Sequence, residues 1–530
     1  MGGGGGVHDG RVVYCRSSPL LSDVPMSART PSLRTRAESS GFRETSLHAD
    51  VMAFIEALSG RNDPRLHVGS FGHSPQGRAL PLLVLSTDGV RSPEDARRVG
   101  KPVVLVVDGI HPGEVEGKEA SLALVRDVLD GRYPGLIDDL TVVFVPLFNP
   151  DGNDALDPRN RALDVARLAG QPGPVVGTRT QSHGINLNRD YMRMETPEMR
   201  LFQRHVCQAW TPHLTLDNHA TNGSVHRMDM TVDIPHTEAS GRAEPIAFMR
   251  ERLVPEVIAA VRARGFESGW YGNFVEDERA MDADVLPDPA AAVAEGWMTY
   301  PHHPRFGSNY RGLTNRLDLL LECYSYLPFE RRVQTASAWQ VETLAWAGRH
   351  ADDIQQVVAA SQTPPSQVAV RYRLEVRDTP VTIPTCTPRT LSGTPTTVTL
   401  PHLARFVGDV VVDRPGAYLV PPQLAAHLEL HGLTVEPADG TYAVEVATVE
   451  GSGSETGRRI LEANEFGDLR VSWKTQTREA PAGWQRVSTD QPLGAVAVYL
   501  CEPESDDGAA ENGVVDVAVG TDFPAFRVRG

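Results

Sequence analysis

Lysine is nearly missing from this sequence: Lys101, Lys118 and Lys474 are the only ones, and arginine supplies the rest of the 51 basic side chains. With 68 Asp and Glu, the formal net charge is −17. No basic cluster extends over several turns of any predicted element. This sets nucleic acid aside as a partner, since a polyanion is held by a clustered cationic surface that releases counterions. The arginine bias reads as genome composition, not function. Cysteine is also scarce. Cys15, Cys207, Cys323, Cys386 and Cys501 are odd in number and scattered, without the paired spacing of a disulfide framework or a thiolate metal site. They read as free thiols. No apolar run is long enough to cross a bilayer, so no membrane span is expected. The opening stretch MGGGGGVHDGRVVYCRSS lacks the apolar segment of a secretory leader. A cytoplasmic location is the resulting expectation, with export and the true start codon, for which Met26 is a candidate, left open.

What is present fits a globular chain, with 41% hydrophobic and 22% charged residues. At 530 residues it exceeds what one growing core accommodates, so two or more domains are expected. Residues 1–45 are expected to carry no fold of their own. An amphipathic helix is predicted over 49–58 and a strand over 80–85. Pro102 to Val107 reads as a strand buried on both faces, followed by a loop and a helix over 117–129. Further strands are expected at 141–148, 213–217 and 317–323, with helices at 197–210 and 243–264. This alternation predicts an α/β domain over 46–361, a mixed and largely parallel sheet covered by helices on both faces. Ligand sites in such sheets gather at the carboxyl ends of the strands. After a helix ending near Ala360, SQTPPSQ reads as a linker. Composition then shifts to Val, Thr, Pro and Gly in short alternating runs, which predicts a smaller, mainly β domain over 366–530. Within it, GSGSETG at 451–457 reads as a low-complexity loop.

The polar residues that carry chemistry fall at predicted strand ends. Gly109-Ile-His-Pro-Gly-Glu-Val-Glu-Gly places His111 and Glu114 three apart on a turn leaving a buried strand, where both can face one ion. Imidazole and carboxylate suit a catalytic zinc, which takes three protein ligands and keeps a position for water. The third ligand must come from elsewhere, and His219 closes a different strand. Glu322 ends a strand that is otherwise apolar, where a carboxylate is costly to bury without a partner. The plainer reading of Glu322 is a salt bridge to an arginine.

The ordered set Gly72-His-Ser-Pro-Gln-Gly-Arg78, His111-Pro-Gly-Glu114, Asn149-Pro-Asp-Gly152, Asn186-Leu-Asn-Arg189, His219 and Leu320-Leu-Glu-Cys-Tyr resembles the M14 metallocarboxypeptidases over residues 46–334. The resemblance implies one zinc ion held by His111, Glu114 and His219, with Glu322 as general base. It implies a peptide or small amide substrate whose free carboxylate is bound by Asn188 and Arg189, a guanidinium fork matching a carboxylate bidentately. It also implies an arginine that stabilises the oxyanion, for which Arg161 is preferred to Arg159, and a capping tyrosine, for which Tyr310 and Tyr300 are candidates. Asn186 departs from the acidic residue common at that place, which would weaken the support of a ligand histidine. The remaining histidines carry no ligand geometry, and the adjacent His302 and His303 are expected to point to opposite sides of an extended segment.

Two other readings stand beside this one. An N-acyl amino acid deacylase of the succinylglutamate desuccinylase or aspartoacylase type shares the His-x-x-Glu and distant His arrangement, though its first motif usually reads His-Gly-Asn-Glu. A catalytically inactive binding protein on a peptidase fold is the other. Side-chain preference, oligomeric state and the role of the β region are not legible in the sequence.

Overall fold

The computed structural model describes residues 33–167, 169–221, 223–280, 294–452 and 469–529. The expectation that residues 1–45 carry no fold is corrected for 33–45. Thr35 and Glu38 form a reciprocal capping box at the start of the helix Arg36–Ser40. Ala37 is fully buried, and the buried Glu119 carboxylate accepts from Thr45 Oγ1 at 2.9 Å and Ser46 N at 2.6 Å. The rest of that expectation, and most of the 451–457 loop, lies outside the described residues.

The first region is built on ten strands: β1 (Leu66–His73), β2 (Ala79–Leu85), β3 (Val103–Val107), β4 (Thr141–Val145), β5 (Leu214–Ala220), β6 (Met230–Asp233), β7 (Ser268–Trp270), β8 (Asn273–Phe274), β9 (Trp297–Met298) and β10 (Leu317–Cys323). Eight form one mixed sheet in the order β1-β2-β4-β3-β5-β10-β6-β7. Its middle, β4-β3-β5-β10, is parallel. Alternation sorts the central side chains to two faces. Val104, Val106, Val142 and Phe144 pack with Leu122, Val125, Trp339 and Ala347 of the helices Glu116–Leu129 and Phe329–Arg349. Leu105, Val107, Val143 and Val145 pack on the other side with Phe202, Val206 and Trp210. Coverage of both faces explains why these strands read as continuous Val and Leu runs. β4 stops at Val145, short of the expected Phe148. β5 runs on to Ala220 and carries His219 inside the strand.

The chain beyond residue 366 is mainly β. β11 (Gln367–Val376) and β14 (His402–Asp413) pair antiparallel, and β12 (Val381–Thr387) and β13 (Thr394–Leu400) form a hairpin. β15 (Ala417–Val420), β16 (Val435–Pro437), β17 (Thr441–Ser452), β18 (Leu469–Glu479), β19 (Gln485–Ser488) and β20 (Phe526–Val528) form a sheet in the order β16-β19-β15-β20-β17-β18. The two regions interlock. β14 continues onto β9 through His402 and Trp297, so one small sheet contains strands of both. One apolar cluster runs from Leu105 and Phe202 to Tyr418, Leu424 and Tyr499.

Candidate active site

β3 delivers the chain into the site through a turn that only certain residues permit. Gly109 has φ +67°, and a Cβ there would lie 3.1 Å from Leu147 Cδ1. The chain then tightens, with Glu114 N donating to His111 O at 2.9 Å, which sets both side chains on the same side of the turn. β5 lies parallel to β3, pairing Asp217 with Val107, and two residues further on it presents His219. β10 lies parallel to β5 with Glu322 in register beside His219. Register partners point to the same face, so the sheet itself puts the Glu322 carboxyl next to the His219 ring.

His111, Glu114 and His219 converge, with one donor atom from each within 4.8 Å of the others. All three are buried. Nδ1 of His219 lies 2.9 Å and Nδ1 of His111 3.3 Å from the same oxygen, Glu114 Oε2. Burial opposes ionisation of Glu114, but the two imidazoles outweigh it and hold its carboxyl well below the usual range. Burial and the Arg179 guanidinium push His111 down to about 3. His219 goes the other way, its burial outweighed by Asp217 and Glu114.

The fit of these residues to a divalent cation is decided by His111. Its Nε2 lies 3.0 Å from Asn186 Oδ1, an atom identified as oxygen because it also accepts from Asn188 N at 3.0 Å. His111 therefore donates from Nε2, and in the neutral ring Nδ1 is a lone pair. That lone pair faces a carboxylate oxygen at 3.3 Å. Two acceptors at this separation need a cation beside them, and the Arg179 guanidinium, 3.1 Å from the same Nδ1, takes that place. Two imidazole nitrogens and a carboxylate are the donor types of a catalytic zinc centre. The donor set fits the metal.

Outer contacts orient both rings. Asn186 does for His111 what the sequence position suggested, through a neutral amide in place of a carboxylate. His219 Nε2 lies 3.2 Å from Asp217 Oδ1, and Asp217 is bound in turn by Arg311, which also pairs with Asp318. Such partners fix ring orientation and tautomer.

Glu322 lies on the wall of a cavity of about 240 Å³ lined also by Arg179, Asn188, Arg189, Tyr271 and Phe306. Among the described residues no Arg or Lys lies within ion-pair distance of its carboxylate, so the salt-bridge reading is not realised. Burial pushes its carboxyl up to about 8, with Glu114 adding to the shift and His219 opposing it. Asn188 and Arg189 reach the same cavity. Asn188 Oδ1 accepts from Gly307 N at 2.8 Å, and the Arg189 guanidinium lies 3.8 Å above the Phe306 ring.

Two residues expected at the cavity are placed elsewhere. Arg161 lies behind Glu114, donating Nη1 to Glu114 Oε1 at 3.1 Å and Nη2 to Ala220 O and Thr221 O, so it braces a candidate ligand and does not line the cavity. Arg159 points outward and pairs with Asp157. Beside Arg189, the cavity is lined by Arg179, 3.1 Å from His111 Nδ1, 3.3 Å from Glu114 Oε1 and half exposed. It sits in an irregular loop ten residues before Arg189, and no spacing signal singles it out. Tyr310 is also displaced. It is buried in the helix Gly307–Leu313, packs at a tilt against Tyr191, and its hydroxyl lies 2.8 Å from His431 Nδ1, away from the cavity. Tyr300 does line the cavity, with its hydroxyl donating to Ile234 O at 3.1 Å.

A second cluster brings His302 and His303 near Asp506. The two rings do not diverge as the sequence suggests. They stack with centroids 4.3 Å apart and planes 26° from parallel. The His111 and His219 rings are tilted by 57°. In the second cluster His302 Nε2 lies 2.7 Å from Asp506 Oδ2, a contact between the two regions.

Two histidines and a glutamate converging at parallel strand ends, with a further carboxylate in register beside them, form a candidate metal site with the donor types of a hydrolase. Residues 51–230 match the Peptidase M14 family model, described as zinc carboxypeptidase. The match spans the segment that carries His111, Glu114 and His219, and it supports a hydrolase. Glu322 lies beyond the matched segment. The chain is similar to Carboxypeptidase 2 of Trichophyton tonsurans, 20% identical with 98% of this chain and 94% of that protein covered. It is similarly related to Carboxypeptidase 2 of Trichophyton rubrum, 19% identical over 94% and 90%. Among solved structures, a metallo-carboxypeptidase from Burkholderia cenocepacia aligns with TM-score 0.38 and 18% identity, covering 57% of this chain and 69% of that one.

Proposed function

We propose that the chain is a zinc-dependent carboxypeptidase that hydrolyses a peptide or related amide bond next to a free C-terminal carboxylate. The observation that carries this reading is the convergence of both Nδ1 atoms on the Glu114 carboxylate, with Glu322 in register beside His219. His111, Glu114 and His219 are the residues that would hold zinc. When bound, zinc supplies Lewis acidity, lowering the pKa of water toward neutrality and polarising the scissile carbonyl.

The chain's own residues do the rest. Glu322 takes the proton of the attacking water and returns it to the leaving nitrogen, a role suited to a carboxyl raised toward neutral pH. Arg179, whose guanidinium reaches the cavity from the side of His111 and Glu114, offers N–H donors to the oxygen that gains charge. Asn188 and Arg189 bind the substrate carboxylate, which fixes the bond to be cut one residue from the chain end. The Arg161 guanidinium holds Glu114 in place from behind.

Release of C-terminal residues from a mixed peptide library, beside hydrolysis of N-acyl amino acids, tests the reading. Peptide release is expected to dominate, and Glu322→Gln is expected to lose ~10²–10⁴-fold in kcat while retaining zinc. Equal activity of Glu322→Gln and wild type would remove Glu322 from the mechanism. Hydrolysis confined to the N-acyl amino acids would favour the deacylase.

A further inference from the structure

Residues 299–306 bring Tyr300 and Phe306 to the cavity, and the first region ties the start of the segment through Thr299 Oγ1 to Asp233 and Tyr300 O–H to Ile234 O. The segment belongs to no helix or strand. Further along, Asn309 Nδ2 donates to Pro301 O at 2.8 Å and to His303 O at 3.2 Å. The segment ends in the two contacts on which carboxylate binding depends: Phe306 beneath the Arg189 guanidinium, and Gly307 N against Asn188 Oδ1.

His302 and Arg305 are held in addition by two adjacent acidic residues about two hundred positions later. Asp507 is fully buried and takes Arg305 three ways. Oδ2 accepts from Arg305 N at 2.6 Å, and Oδ1 accepts from Nε at 3.0 Å and lies 2.8 Å from Nη2. Asn512 Nδ2 donates to the same Oδ1 at 2.9 Å and fixes its direction. Asp506 takes His302 Nε2 on Oδ2 at 2.7 Å, and is itself fixed by Tyr499 O–H at 2.5 Å and Tyr372 N at 3.2 Å. His302 is further enclosed by the rings of Tyr372 and Phe406, and Asp506 N donates to Val370 O at 2.9 Å. Every one of these outer braces lies on the β11, β14 and 494–512 part of the chain.

A buried ion pair contributes little net stability, because desolvation offsets most of its attraction; its better use is to fix one arrangement among several. Arg305 lies next to Phe306, so the pair with Asp507 sets the backbone from which that ring projects. A substrate-binding group is only as well placed as the shell behind it.

We propose that Asp506 and Asp507 are positioning residues for substrate binding: through His302 and Arg305 they hold the 299–306 wall so that Phe306 and Gly307 present Arg189 and Asn188 to the substrate carboxylate. The C-terminal β region is thereby part of the specificity apparatus, an inference that rests on the carboxypeptidase reading for its consequence but not for its structural content.

The zinc-loaded full chain is compared with Asp506→Asn, Asp507→Asn and Phe306→Leu in two assays. The first measures kcat and KM on a peptide with a free C-terminus and on its C-terminal amide. The second measures backbone amide exchange over 299–306. All three variants are expected to raise KM for the free acid about tenfold with kcat nearly unchanged, the mark of lost uniform binding, and the two Asp variants to leave the slow turnover of the amide unaltered. The two Asp variants are expected to speed exchange in 299–306 without altering zinc content. A merely structural role would lower thermal stability and leave the acid-to-amide preference intact, and that result would overturn the proposal. Asp507→Asn strands a buried guanidinium and so carries a folding risk; Asp506→Asn, whose amide oxygen still accepts, then carries the test with Phe306→Leu. Where the wild type cleaves no peptide the carboxypeptidase reading fails, and exchange alone decides the clamp: faster exchange in Asp506→Asn supports it, and unchanged exchange overturns it.

Discussion

Arg179 and Arg161 separate two jobs that a sequence presents as one. Both touch Glu114 Oε1, at 3.3 and 3.1 Å, yet only Arg179 lines the cavity; Arg161 spends its other nitrogens on backbone carbonyls. Arg179→Ala is expected to lower kcat by ~10²–10³-fold with KM little changed, since its donors act on charge that develops during reaction. Arg159→Ala, an exposed pair with Asp157, is expected to behave as wild type. Steady-state kinetics of the two variants checks the assignment, and equal effects of both would refute it.

At the scale of elements, the site is an outcome of strand register. Glu322 meets His219 because β10 and β5 align residue for residue, and Glu114 meets them because the β3 turn folds back over β5. This was legible in the sequence because fully buried parallel strands announce themselves as Val and Leu runs, and a His or Glu at the end of such a run stands out. The fold class followed from the same signal. Arg179 and the 299–306 wall were not legible. They lie in irregular chain, where conformation is set by partners far away in sequence, and His302 meeting Asp506 across 204 positions leaves no local trace. Tyr310 misled for a related reason: its place in the chain suggested a cap, but the helix Gly307–Leu313 turns it into the core against Tyr191 and His431. Gly117 shows how tightly the element behind the site is docked. A Cβ there would lie 2.5 Å from Asp108 Oδ1 and 2.6 Å from Asn218 Cβ. Gly117→Ala is expected to destabilise by ~1–3 kcal/mol through overpacking, read from the urea midpoint; an unchanged or higher midpoint would show that the helix Glu116–Leu129 can move.

At the scale of the whole molecule, the two regions share a sheet and an apolar core. Truncation after Gln362 would expose the side of the core that includes Phe202 and Trp210 and strip β9 of β14. The shortened chain is expected to be insoluble or to melt well below the full chain, measured by calorimetry; equal stability and activity would contradict this. Buried histidines give the molecule a pH dependence outside the metal site. Burial pushes His226 down to about 3 and His213, His402 and His427 to about 4, against 6.5 unperturbed. A lowered pKa in the folded state means that the unfolded chain binds more protons between those values. The resulting stability is present above pH 6.5 and is lost as pH falls toward 4, with a slope of at most ~1.4 kcal/mol per pH unit for each histidine. Urea midpoints from pH 7.5 to 4.5 are expected to fall accordingly, and a flat profile would refute the assignment of these rings as neutral.

The most direct test of the central claim is a zinc titration of the metal-stripped full chain, following bound zinc and release of C-terminal residues together. One zinc per chain, with release rising in proportion and reaching its plateau at that equivalent, is the predicted result. Release at full rate in the stripped protein, or a chain that binds no zinc with wild-type His111, Glu114 and His219 in place, would contradict it.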